Sequence, residues 1–123
     1  MREVRIENVT RPLPKPLRAG YCSSFWCRLR GLAFRSELPE GWGLLLVQTR
    51  DSRLDSSIHM LGMQFDLGIV WFNSAGEVVD ARLARRWRSF LLPRRPARYV
   101  LEMHAARLGE FQIGDIVRFE EIP

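Results

Sequence analysis

Apolar residues in this chain come in short runs, and turn-forming residues close each run. The stretches without a charged side chain, 41–49, 56–65 and 67–76, are each about ten residues long, whereas a membrane-crossing helix needs about 20. Punctuation of this kind suits many short strands. The clearest case is a pair of strand-like runs, 67–72 and 77–83, around Asn73-Ser74-Ala75-Gly76. Asn and Gly tolerate the backbone angles of a tight turn, so this pattern predicts a hairpin. Residues 42–47 read as a buried strand, 99–103 and 116–119 as two more, and Val4, Ile6 and Val9 as a first one.

Prolines at 12, 14 and 16 remove backbone donors and disfavour helix, which makes that segment extended, an edge or a linker. Residues 17–22 resume a strand. Ser23 and Ser24 are good helix caps, and Phe25, Leu29 and Leu32 recur at helical spacing. One short helix is expected near 24–34, stopping before Pro39. Residues 48–55 and 84–96 read as loops, and 105–108 as one helical turn. The fold class is mainly β with some α content: a compact antiparallel sandwich or partly closed barrel. At 123 residues the chain is read as a single domain, 1–123, with an extended proline-containing N-terminal segment over 1–20.

Several classes are disfavoured. The N-terminus lacks the apolar stretch of a secretory signal, and no run is long enough to span a membrane, so a soluble, cytoplasmic protein is expected. Cys22 and Cys27 do not form a C-x-x-C pair, and on a helix positions five apart point away from each other, so they read as free thiols. Two histidines, His59 and His104, with no H-E-x-x-H pattern give no metal site. No glycine-rich phosphate loop and no G-x-S-x-G elbow is present, so no cofactor is expected and the balance leans away from an enzyme.

Five motifs in order then carry a resemblance: Arg30-Gly31-Leu32, Ser57-Ile58-His59-Met60 with Met63, the 72–79 hairpin, Tyr99-Val100-Leu101-Glu102, and Ile113-Gly114-Asp115. Together, over about residues 22–119, they resemble a prokaryotic family known as domain of unknown function 192 (DUF192). The resemblance implies a jelly-roll-like β domain with a short helix and brings no established activity. This sequence departs from the family's pattern at Asp66-Leu67-Gly68, where Pro-Ile-Asp or Pro-Leu-Asp is usual. Asp66 places a carboxylate about 6–7 Å from the family's position. The segment His104-Ala105-Ala106 departs as well.

Candidate site residues follow from chemistry. His59 lies in an uncharged stretch and offers both a donor and an acceptor. With Met63, Asp66 and Glu102 it defines a possible ligand cleft; if catalytic, His59 with Asp66 or Glu102 would supply acid–base chemistry. Strand alternation puts Tyr99, Leu101 and Met103 on one face and Val100 with Glu102 on the other, and an internal Glu102 is expected to pair with an arginine. Trp26, Trp42, Trp71, Phe72 and Tyr99 are expected to fill the core.

The chain carries a net charge of +5, and every basic residue except Lys15 is arginine. Seven arginines, Arg82, Arg85, Arg86, Arg88, Arg94, Arg95 and Arg98, stand together without an intervening acid, so the remainder is net acidic. Guanidinium groups interleaved with Trp87 and Phe90 suit an anionic partner such as nucleic acid. The same run also reads as a solvated loop in an arginine-biased chain. Two functions are carried forward: a binding or accessory domain with a cleft at His59 and Glu102, and a polyanion binder through 82–98.

Overall fold

The computed structural model describes residues 1–33, 35–87 and 90–123. Among the described residues nine strands form the frame: β1 (Glu3–Asn8), β2 (Arg18–Cys22), β3 (Trp42–Ser52), β4 (Ile58–His59), β5 (Leu67–Phe72), β6 (Val78–Ala84), β7 (Phe90–Leu91), β8 (Ala97–His104) and β9 (Val117–Ile122). One helix, α1 (Phe25–Arg30), follows β2, and a 3-10 helix spans Ala105–Glu110. Seven strands make one sheet in the order β6-β5-β8-β3-β2-β1-β9, and β4 pairs with β7 separately. The mainly β class and the short helix agree with the sequence reading.

The pairing departs from it. Arg18–Cys22 runs parallel to Trp42–Leu46, so the sheet is mixed and not antiparallel throughout. Parallel neighbours need a crossover, which the segment containing α1 supplies. β3 is also longer than expected: part of the polar stretch 48–55 continues it to Ser52, which pairs with Ala97 after a register shift. Likewise the basic stretch 84–96 is not all loop, because β7 sits within it. The proline-bearing stretch links β1 to β2, both flanked by partners on either side.

The hairpin turn shows why its residues are there. Asn73 Oδ1 accepts from the N–H groups of Ala75 and Glu77, each at 3.0 Å. Gly76 has φ +83, and a Cβ there would stand 2.4 Å from the Val117 carbonyl. Only glycine fits both demands. At this corner Val117 N–H donates to Gly76 O, Val78 N–H to Asp115 O and Gly114 N–H to Val78 O, and a bridge joins Glu77 to Ile116. The two ends of the sheet therefore meet at one point, although no continuous ladder closes a barrel.

Side-chain alternation divides the core in two. Val4, Ile6, Leu45, Val47, Val70, Phe72, Leu101 and Met103 pack on the inner face. Leu44, Leu46, Ile69, Trp71 and Val100 pack on the other, covered by Leu32, Leu38, Ile58, Met60 and Met63.

α1 is shorter than expected. Ser24 caps it, its hydroxyl accepting from Cys27 N–H at 3.2 Å, and Gly31 ends it at φ +53. The expected end at Phe34 lies outside the described residues. No residue of α1 is fully buried, and Phe25 and Leu29 are exposed. Cys22 and Cys27 form a disulfide, which corrects the free-thiol reading. Cys22 ends a strand and does not share the helix with Cys27, so helical spacing does not apply; their Cα atoms lie 5.7 Å apart, within bridging range. Such bonds persist mainly in oxidising surroundings. No described helix is long and apolar enough to cross a membrane.

Candidate functional site

Glu102 leaves β8 on the face that carries Val100, as alternation requires. Its carboxyl is buried, and Gly31 lies directly against it: a Cβ on Gly31 would come within 3.0 Å of Oε1. The glycine that ends α1 thus also makes room for the carboxylate. Burial pushes the Glu102 carboxyl up from its ordinary value to about 7, against the opposing effect of a hydrogen bond from the Leu32 backbone. Among the described residues Oε1 has no hydrogen-bond partner. The expected arginine pair is absent among the described residues. Arg28, from the adjacent helix, instead spends its guanidinium on the carbonyls of Ser23 and Val47.

His59 comes from β4, opposite Phe90 of β7. It is half-buried, and its Nδ1 is buried without a partner among the described residues. Gly31, His59, Met63 and Glu102 line one small cavity of about 40 Å³. That is room for a water-sized polar group. Two orphaned polar atoms thus belong to residues that share one cavity.

On the solvent side of His59 lies a wider groove of about 480 Å³, walled by Trp26, Leu29, Leu61 and Trp87. Trp26 is 74% exposed and Trp87 58%, so the core role expected for Trp26 is corrected. The helix carrying Trp26 is too short and too loosely covered to bury an indole. Trp71 and Phe72 do fill the core, whereas Trp42 and Tyr99 are half-buried. His59, Leu29, Arg30, Ala33 and Leu61 line both the groove and the cavity. Trp87 adopts φ +65, and its N–H donates to Met60 O at 3.0 Å. Left-handed backbone at a bulky residue costs on the order of 1–3 kcal/mol, so the surrounding chain must impose it.

Asp66 is not brought to this site. Its carboxylate accepts the Arg86 N–H at 2.9 Å and lies 3.9 Å from an Arg85 nitrogen. With His104 it lines a separate cleft of about 760 Å³. The acid–base pairing of His59 with Asp66 therefore has no geometric basis.

The basic run is dispersed as well. Arg82 and Arg94 both reach the buried Asp80, at 3.2 and 3.8 Å, and Arg98 donates to Gln48 O. Arg82 also lies over the Trp71 ring. Arg86 and Arg95 are exposed, and Arg88 lies outside the described residues. The acids that engage this run, Asp66 and Asp80, both precede it in sequence. Among the described residues no three His, Cys, Asp or Glu side chains cluster as a metal site would require.

The sequence matches the model of the DUF192 family, described as an uncharacterised ACR, over residues 6–119. The chain belongs to the DUF192 family. Its curated relatives include UPF0127 proteins of Thermococcus gammatolerans, 35% identical over 79% of this chain and 63% of the relative, and of Pyrococcus furiosus, 34% identical over 77% and 78%. The chain thus spans less than two thirds of the first of these. The fold is shared with a solved structure from Sinorhizobium meliloti 1021 described as a candidate transcription regulator. The TM-score is 0.81 at 21% identity, covering 96% of this chain and 92% of that one. A protein of unknown function from Novosphingobium aromaticivorans gives a TM-score of 0.79 at 22% identity, covering 94% and 83%. At these identities the likeness concerns the fold alone. Within this DUF192 chain, three of the motifs that carried the resemblance converge: Gly31, His59 with Met63, and Glu102 come from distant segments to one cavity.

The sequence did not single out Leu61 or Gly31 as site residues, and it assigned Trp87 to the surface for an anionic partner and not to this groove. Trp87 was visible as an aromatic inside a charged run. The direction in which it points depends on its φ and on Met60, which periodicity does not encode.

Proposed function

We propose that this chain is a small-molecule-binding domain, with the ligand seated in the Trp26–Trp87 groove over His59. The observation that carries the reading is the pair of unpaired buried atoms, His59 Nδ1 and Glu102 Oε1, beneath an apolar groove. Buried polar atoms normally find partners, and ligand sites characteristically combine apolar walls with a few polar groups. Two exposed indoles facing solvent also fit a surface meant to be covered.

Nile red, a neutral apolar dye, tests the groove. Its fluorescence should rise saturably with the native protein. The Trp26→Ala/Trp87→Ala double variant should bind at least about tenfold more weakly, a loss of about 1.4 kcal/mol. Leu83→Ala, at an exposed apolar residue on β6, should change nothing. Equal binding by the native protein and the double variant would remove the proposal.

A further inference from the structure

The polar end of the site narrows the class of ligand, given the groove reading above. Glu102 Oε1 is unpaired and buried, and the residue is 5% exposed. An ionised carboxylate is an acceptor only, and a neutral imidazole presents one ring nitrogen as an acceptor. A single group that satisfies both therefore needs more than one donor. A hydroxyl has one. An ammonium has three, and it also brings the charge that a buried carboxylate lacks.

None of the described arginines supplies that charge. Arg28 is committed to two backbone carbonyls, and Arg30 is exposed at the rim, where water screens it. The cavity volume of about 40 Å³ admits an ammonium head and excludes a bulkier cation such as a guanidinium with its alkyl stem. The groove is apolar along its walls, and its indoles favour a ring or alkyl body beside a cationic head.

We infer that the ligand is a primary amine with an apolar body: the body lies between Trp26 and Trp87, and the ammonium reaches past His59 to Glu102. His59 lines both compartments and is half-buried. Burial of the unpaired carboxyl raises its proton affinity, as an acceptor awaiting a cation would show.

The test compares 2-phenylethylamine, 2-phenylethanol and phenylacetate, which share a body and differ in the head. At about pH 8, calorimetric titration of the native protein should show the amine binding at least about tenfold more tightly than the alcohol, with phenylacetate weakest. Glu102→Gln should remove that preference, whereas Leu83→Ala, away from the site, should keep it. If amine and alcohol bind alike, or if Glu102→Gln keeps the preference, the ammonium assignment fails and the groove reading stands. If neither compound binds and Nile red does not bind either, both fail. Should Glu102→Gln not fold, as judged by its melting transition, the amine-to-alcohol ratio in the native protein decides alone.

Discussion

Glu102 titrates near neutrality because its carboxyl loses water on folding and gains one backbone hydrogen bond in return. Its ordinary value is 4.5 and its folded value about 7, so between these the folded state holds more protons than the unfolded state. Stability is therefore greatest at low pH, as far as this residue is concerned, and falls as pH rises through about 7. The shift corresponds to about 3 kcal/mol, an order-of-magnitude figure. Glu102→Gln should melt like the native protein near pH 5 and at a higher temperature near pH 8. Parallel pH dependence in the two proteins would show that the carboxyl is not the source. Alternation along 99–103 made the buried face of Glu102 legible in the sequence. The missing partner was not legible, since eighteen arginines made a pair look inevitable and only geometry shows where each guanidinium goes.

Among the elements, α1 is the least anchored by packing. Ser24 caps it, Arg28 ties it to Ser23 and Val47, and the Cys22–Cys27 disulfide fixes it to the end of β2. It nevertheless carries Trp26 and ends at Gly31, the two sides of the candidate site. Closing so short a loop stabilises by about 2 kcal/mol in the chain-entropy account. The Cys22→Ser/Cys27→Ser variant should lose about that much in denaturant unfolding, and its Nile red affinity should drop as the Trp26 wall loosens. Unchanged affinity would mean that the cap and Arg28 hold the wall by themselves. Strands β5 and β6 were readable from turn chemistry and β-branched content, which act locally. The disulfide was not, because it joins two different elements, and helical spacing was applied to a pair of which only Cys27 lies on the helix. The parallel pairing of β2 with β3 was hidden for a similar reason: the direction of a strand is set by its crossover.

Across the whole molecule, Arg107 joins segments far apart in sequence. It is 3% exposed and donates to the carbonyls of Lys15, Pro16 and Glu40, besides its pair with Glu110. The proline stretch, the approach to β3 and the 3-10 helix thus share one guanidinium. Arg107→Ala should destabilise by roughly 3–5 kcal/mol, since buried acceptors lose their donor, and Arg107→Lys should recover little because it lacks the planar fork. A loss below about 1 kcal/mol in denaturant unfolding would mean that water replaces the side chain. Nothing in the local sequence distinguishes Arg107 from the other arginines; its role exists only once the sheet has brought residues 15, 40 and 107 together. The same wrapping has a consequence where the ends of the sheet meet. Open strand edges recruit neighbouring chains and seed aggregation. At Gly76–Val78 the Gly76 carbonyl and the Val78 amide and carbonyl are already taken by residues 114–117 of the same chain, and the remaining groups by Asn73. This corner is closed to intermolecular strand addition, and opening the turn, as an alanine at Gly76 would, should expose the protein to self-association before it exposes its core.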